Sequence, residues 1–101
     1  MSKTTAEKLQ AIATRLVSEG NGAEGSPRNA WIADVVLAAT LELGLTMAQA
    51  QDALVAGFRA GTLNLVRVDL SPAFDRDDMI ASELVVASAP HGDDIRHFVR
   101  G

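Results

Sequence analysis

Apolar residues recur at helical spacing in the first part of the chain, between clear start and stop signals. Thr4 and Glu7 have the spacing of a capping box, in which the two side chains satisfy free amides at a helix start, and Gly20 is a typical stop. The sequence therefore predicts a helix over residues 4–19, followed by a loop rich in Gly, Asn, Ser and Pro. The buried stripe of this helix would consist of Leu9, Ile12, Ala13, Leu16 and Val17.

The segment AWIAD, which follows this loop, is compatible with two structures. It forms either a short strand over residues 30–32 before a helix capped by Asp34, or part of one helix that starts near Pro27. We favour the strand, because aromatic and β-branched residues suit strands and Asp is a good N-cap. Trp31, the lone tryptophan, is then expected to pack in the core. The helix continues to a stop at Gly44 and buries Val35, Val36 and Ala39.

A third helical stripe begins shortly after Gly44. Thr46 and Gln49 repeat the capping-box spacing, and Gly61 supplies the stop. Only a short connection separates this helix from the preceding one, so the two are predicted to form a helix-turn-helix pair. The inward positions of the third helix are Ala50, Ala53, Leu54, Gly57 and Phe58.

The remaining apolar runs are typical of strands. Residues 62–70 are rich in Leu and Val, and residues 84–87 and 95–100 flank a PHGDD turn. The sequence therefore predicts one strand followed by a hairpin, with the terminal strand at an exposed sheet edge. The acidic segment within residues 71–81 is compatible with an irregular loop or with one helical turn.

This order of elements resembles the winged helix-turn-helix superfamily over nearly the whole chain. The resemblance lies in IADVVLAATLELGLTMAQAQDALVAGFRAGTLNLVRV, which combines two short helices, an RAG exit and an immediate apolar strand. It implies an α+β fold of the winged-helix type: a three-helix core with a helix-turn-helix and a C-terminal antiparallel wing sheet of two or three strands. We expect residues 1–101 to form one such domain, with residues 1–3 flexible.

Composition is consistent with a single globular domain. The chain has 101 residues, of which 48% are hydrophobic and 22% charged. No apolar run approaches the roughly 20 residues that a membrane-spanning helix requires. The absence of cysteine excludes disulfides and thiolate metal sites and fits the cytosol. We therefore expect a cytoplasmic protein that does not cross a membrane.

The distribution of charge argues against a DNA-reading surface. The net charge is -4, and residues 29–95 carry three arginines against ten acidic residues. Binding to duplex DNA draws most of its free energy from Lys and Arg that displace counterions. In the winged-helix superfamily the third helix and the wing tip usually touch nucleic acid, but here the wing tip, residues 90–94, holds two aspartates. A phosphate surface would repel this part of the chain.

The outward face of the third helix suits a protein partner better. Small or adaptable apolar groups ringed by Gln and Asp match an ordinary protein interface, although such groups also occur on helices without any role in binding. We expect a non-enzymatic adaptor or regulatory subunit that binds a protein partner or a second copy of itself through the helix over residues 46–60 and the C-terminal hairpin. The candidate contact residues are Met47, Ala48, Gln51, Asp52, Val55 and Arg59.

The alternative is a duplex-DNA-binding transcriptional regulator that works as a dimer. Gln side chains near a helix start can read adenine, and Arg can hold phosphate. Arginines of the strands would then gather on one sheet surface to supply positive charge. The residues available for this alternative are Gln49, Gln51, Arg59, Arg67, Arg96 and Arg100.

The sequence contains no pattern typical of an enzyme. It lacks a Gly-rich phosphate loop, a nucleophile elbow and a paired-carboxylate motif. His91 with Asp93 and Asp94 has no recognised metal-ligand spacing, and residues 75–78 lack the glycine and distal glutamate of a calcium loop. His97 alternates with apolar residues and is expected to be a packed or edge residue. We therefore expect no catalytic residue, cofactor or bound metal.

Overall fold

The capping signals at Thr4 and Thr46 act as the sequence predicts. In a computed structural model, which describes residues 4–23, 27–67, 76–89 and 92–101, the chain has an α+β fold. The described elements are α1 (Thr5–Ser18), β1 (Asn29–Trp31), α2 (Ile32–Leu43), α3 (Met47–Ala60), β2 (Leu65–Val66), α4 (Arg76–Ala81), β3 (Leu84–Ala89), β4 (Gly92–Arg96) and β5 (Phe98–Arg100).

Both capping boxes are complete. The hydroxyl of Thr4 accepts from the backbone N–H of Glu7 at 3.2 Å, and the Glu7 carboxylate accepts in return from the Thr4 N–H. Thr46 and Gln49 make the same pair of bonds at the start of α3. Gly61 ends α3 with φ of 76°, a left-handed conformation that glycine adopts without steric cost. The helix boundaries predicted from these signals are confirmed.

The start of α2 differs from the prediction. Trp31 is the N-cap residue and makes no side-chain capping bond, while Asp34 lies within the first turn. The capping bond comes from Ser82, whose fully buried hydroxyl accepts from the N–H of Ala33 at 3.1 Å. The predicted cap at Asp34 is therefore wrong. The capping bond is supplied by a hydroxyl 49 positions along the chain, and no local sequence pattern predicts such a partner.

The end of the chain also differs from the prediction of one strand over residues 95–100. The segment up to Arg96 pairs with β3 as β4, whereas β5 lies between β1 and β2 in a separate antiparallel sheet of order β1-β5-β2. Ala30 and Leu65 both face Val99 across this sheet. The terminal strand is thus central, and the prediction of an exposed edge strand is wrong. Because β5 is paired on both sides, it has no unpaired edge to which a partner strand could be added.

Two other predicted segments are shorter or more regular than expected. Within residues 62–67, β2 comprises only Leu65–Val66, and residues 68–70 lie outside the described part of the chain. The acidic segment left open between loop and helix forms α4 over Arg76–Ala81, with residues 71–75 outside the description.

The core lies between α1, α2, α3 and the three-stranded sheet. Gly57 lets α1 and α3 approach closely, since a Cβ there would lie 2.6 Å from the Cβ of Ala6. Trp31 is buried as predicted and packs on Phe98 with ring centroids 4.6 Å apart. Within the described residues no single helix is long and apolar enough to cross a membrane; α2 and α3 together reach that length and composition but are bent by 117°.

Candidate functional site

The second helix, α2, exposes two large apolar side chains on its outer side. Val35, Val36 and Ala39 are buried, but Leu37 and Leu41 on the opposite side are 58% and 78% exposed. These two leucines are four residues apart and therefore lie above one another on successive turns. Neighbouring large apolar side chains that are exposed on a helix can mark a surface that a partner covers. The exposed row of α2 is therefore a candidate contact surface.

Residues of α3 and α4 extend this surface beside Leu37. Met47, the first residue of α3, is 63% exposed and lines a cavity of about 170 Å³ together with Leu37 and Ala81. Thr40 and Gln51 add polar groups to its otherwise mainly apolar wall. We call this space the apolar cavity. An engineered cavity of about 150 Å³ accommodates benzene, so a single apolar side chain fits here.

A second, larger cavity of about 630 Å³ also borders Leu37 and Leu41. It lies where α2 meets the end of α1 and α4, and three carboxylates line it: Asp34, Glu42 and Asp78. We call it the acidic cleft. Leu37 lines both cavities and stands between the apolar space and the acidic one, whereas Leu41 borders the acidic cleft.

The carboxylates of the cleft have different electrostatic surroundings. Burial raises the pKa of Asp34, and the nearby negative charge of Asp78 raises it further, because a like charge disfavours the ionised form of Asp34. Glu42 instead accepts two hydrogen bonds from the guanidinium of Arg15, which keep the pKa of Glu42 below its usual value. The same ion pair connects α1 to α2. Positive charge from a ligand would therefore be most favourable near Asp34.

The structure brings together only part of the face predicted on α3. Met47 and Gln51 both line the apolar cavity. Ala48 and Asp52 are exposed but line neither cavity. Val55 is half-buried and packs against the main core, so less of it faces solvent than the sequence predicts. The convergence of residues is therefore at the seam between α2 and α3, and not along the middle of α3.

The arginines proposed for nucleic acid are engaged within the protein or separated. The guanidinium of Arg59 donates to the carbonyl of Val86 at 3.0 Å. Arg96 pairs with Asp94 at 3.1 Å and lies 5.5 Å from the ring centroid of Phe58. Arg96 belongs to the β3-β4 sheet and Arg100 to the three-stranded sheet, so the prediction that the strand arginines gather on one sheet surface is wrong. Arg67 and Arg100 are exposed, and Gln49 is used in the cap of α3.

The predicted wing tip contributes little to the described surface. Pro90 and His91 lie outside the described residues, as does the side chain of Asp93. Among the residues described, no three His, Asp or Glu side chains converge as metal ligands.

Sequence reasoning missed Leu37, Leu41 and Ala81. A signal for the two leucines was present, since the segment VVLAATLEL has more apolar residues than one inward stripe requires and cannot bury all of them against one core. Ala81 gave no such signal, because its place beside α2 depends on the distant contact through Ser82.

Comparison with known proteins gave no match: no family model fits the chain, and no curated protein or solved structure is significantly similar to it.

Proposed function

We propose that this chain is a non-enzymatic, cytoplasmic binding module of the winged-helix type that recognises another protein through the outer side of α2. The observation that carries the proposal is the exposed apolar row of Leu37 and Leu41 with Met47 beside it. Buried apolar surface contributes roughly 25 cal/mol per Å², and the centres of protein interfaces are apolar and enriched in Met. The order of helices and the sheet order β1-β5-β2 support the winged-helix type.

This surface shares Met47 and Gln51 with the face predicted on α3 and shifts its centre to α2. The terminal strand β5 is not part of the proposed contact surface, because it is paired on both sides. Recognition of duplex DNA has less support. Arg59, at the end of α3, donates to the backbone carbonyl of Val86, and the carboxylates of the acidic cleft beside α2 would repel phosphates.

The experiment compares two aspartate substitutions at exposed apolar residues. Leu37→Asp places a charge in the proposed interface, and Val85→Asp places the same charge on β3, where the side chain is 48% exposed. The immobilised chain is used to capture a partner from a lysate of the native host, and the purified partner is then titrated against both variants. We expect Leu37→Asp to weaken binding at least about tenfold, because it desolvates a charge at the centre of an interface.

Val85→Asp is expected to leave partner affinity unchanged. Both variants should retain the wild-type melting temperature closely, because surface substitutions usually change stability by less than about 0.5 kcal/mol. A partner that binds the Leu37→Asp variant as tightly as the wild type would contradict the proposed function.

A further inference from the structure

We propose that the occupant of this surface is a cationic amphipathic helix of a partner protein. The helix lies across the row of Leu37 and Leu41, inserts one apolar side chain into the apolar cavity and directs a Lys or Arg into the acidic cleft. This inference rests on the proposed function and specifies the chemistry of the partner. Docking of an amphipathic helix against an apolar surface is a common mode of peptide recognition.

The shape of the surface favours a helix. Leu37 and Leu41 form a ridge with the i, i+4 spacing that packs into the groove between side-chain rows of another helix. Both concave spaces border this ridge, so a helix laid on it presents residues on either side of its contact stripe to the two spaces. Addition of a strand at β5 is excluded, because β5 already pairs with β1 and β2.

The apolar cavity specifies the anchor residue. Its volume of about 170 Å³ suits one Leu or Phe side chain. Met47 borders the cavity and can adjust to either shape, since its side chain is flexible and polarisable. Thr40 and Gln51 remain available at the wall for a polar atom next to the anchor.

The acidic cleft specifies the charge of the partner. Asp34, Glu42 and Asp78 line it, and the arginine nearest to Glu42 is Arg15, which is already paired with that carboxylate. A Lys or Arg from the partner would reduce the repulsion between Asp34 and Asp78. The same charges disfavour a second copy of this chain, because a two-fold dimer brings identical patches together and would oppose one acidic cleft to the other. The net charge of -4 acts in the same direction.

Synthetic peptides of about 18 residues, or five helical turns, provide the probe. The first is an amphipathic helix with a Leu and Phe stripe and Lys on its polar side. The second replaces each Lys by Glu, and the third keeps Lys but replaces the apolar stripe by Gln. Each is titrated into the isotopically labelled full chain and followed by amide chemical shifts. We expect the first peptide to bind at least about tenfold more tightly than either control, with the largest shifts at Leu37, Thr40 and Gln51.

Matched variants separate the two parts of the surface. Asp34→Asn removes a carboxylate of the cleft, and Asp52→Asn removes one on α3 that lines neither cavity. We expect Asp34→Asn to weaken binding of the Lys peptide about threefold, in keeping with a partly exposed ion pair, and Asp52→Asn to weaken it less. Ala81→Leu fills the apolar cavity and is expected to weaken binding at least about tenfold while the melting temperature is retained.

Several outcomes would overturn this inference. In the peptide titration they are equal binding of the Lys and Glu peptides, no binding of the Lys peptide, or amide chemical-shift changes centred on Asp52 and Arg59. In sedimentation the contradicting outcome is a concentration-dependent dimer that Leu37→Asp dissociates. In each of these cases the proposed function stands as long as Leu37→Asp, and not Val85→Asp, abolishes capture of the partner. If Leu37→Asp leaves capture intact, the proposed function itself fails.

Discussion

His97 is a buried ionisable side chain at the junction between the hairpin and the three-stranded sheet. It is 7% exposed, and its backbone bonds to the start of α2 and to β2: the N–H of Ile32 donates to its carbonyl, and its own N–H donates to the carbonyl of Val66, each at 3.0 Å. Burial lowers the pKa of His97; the carboxylate of Glu83 acts in the opposite direction, and the guanidinium of Arg67 lowers it further. The packed position expected from its alternation with apolar residues is confirmed.

This environment makes stability depend on pH. Below the ordinary histidine pKa of about 6.5 the unfolded chain binds a proton that folded His97 resists, so the free energy of unfolding falls as pH decreases from there towards the lower folded pKa. We expect the stability advantage of the wild type over His97→Gln to shrink between about pH 7.5 and about pH 5. Urea unfolding of both proteins at the two pH values measures this difference in the free energy of unfolding. A constant difference would show that His97 titrates alike in both states.

At the level of secondary-structure elements, α4 and α2 are coupled by one hydrogen bond. Ser82 follows α4 directly, and its hydroxyl caps the second residue of α2. Ala81, one residue earlier, thereby becomes a wall of the apolar cavity. The element that the sequence left open between loop and helix is therefore part of the candidate site. Its position follows from a buried hydroxyl and not from its own short helical pattern.

Loss of this cap should destabilise the whole domain. We expect Ser82→Ala to lower the free energy of unfolding by about 1 kcal/mol, within the roughly 0.5–2 kcal/mol range of N-cap substitutions, because the Ala33 N–H loses its acceptor in a buried place. The control is Ser18→Ala, which removes an exposed hydroxyl at the end of α1. The denaturant midpoints of the Ser82→Ala and Ser18→Ala variants are compared with that of the wild type. Equal midpoints for both variants would mean that the Ser82 bond contributes nothing.

At the scale of the whole molecule, the distribution of charge disfavours duplex DNA and fits the cationic partner that we propose. The net charge is -4, Arg15 is bound to Glu42 and Arg59 to a carbonyl, while the exposed leucines lie beside carboxylates. A surface of this composition is repelled by a polyanion and attracted by a cationic polypeptide.

Duplex DNA therefore provides a test of the whole-molecule argument. We expect the purified chain to show no binding to a random duplex of about 20 base pairs at roughly 50 mM salt, where phosphate contacts are strongest. A basic winged-helix protein under identical conditions serves as the positive control. Binding that weakens steeply with salt and is lost on Arg59→Ala would contradict this argument and favour the regulator alternative.

The three main helices, their ends and much of their buried stripes were accessible from sequence because the signals are local. A capping box such as Thr46 with Gln49, or a left-handed stop such as Gly61, involves residues within one turn of each other. The strand preference around Trp31 was correct for the same reason. The cap of α2 and the path of the terminal strand were not accessible from the sequence, since each depends on partners tens of residues away.

The candidate site was accessible in part. Met47 and Gln51 could be named because the phase of α3 follows from its own stripe. Leu37 and Leu41 left a trace in the second helix, which has more apolar residues than one buried stripe requires. The cavity between α2, α3 and α4 and the cleft beside Asp34 came from packing alone. A helix is held by hydrogen bonds between residues that are near neighbours in the sequence. A cavity is shaped by the packing of distant segments that bury apolar area together, and a single local segment does not specify that packing.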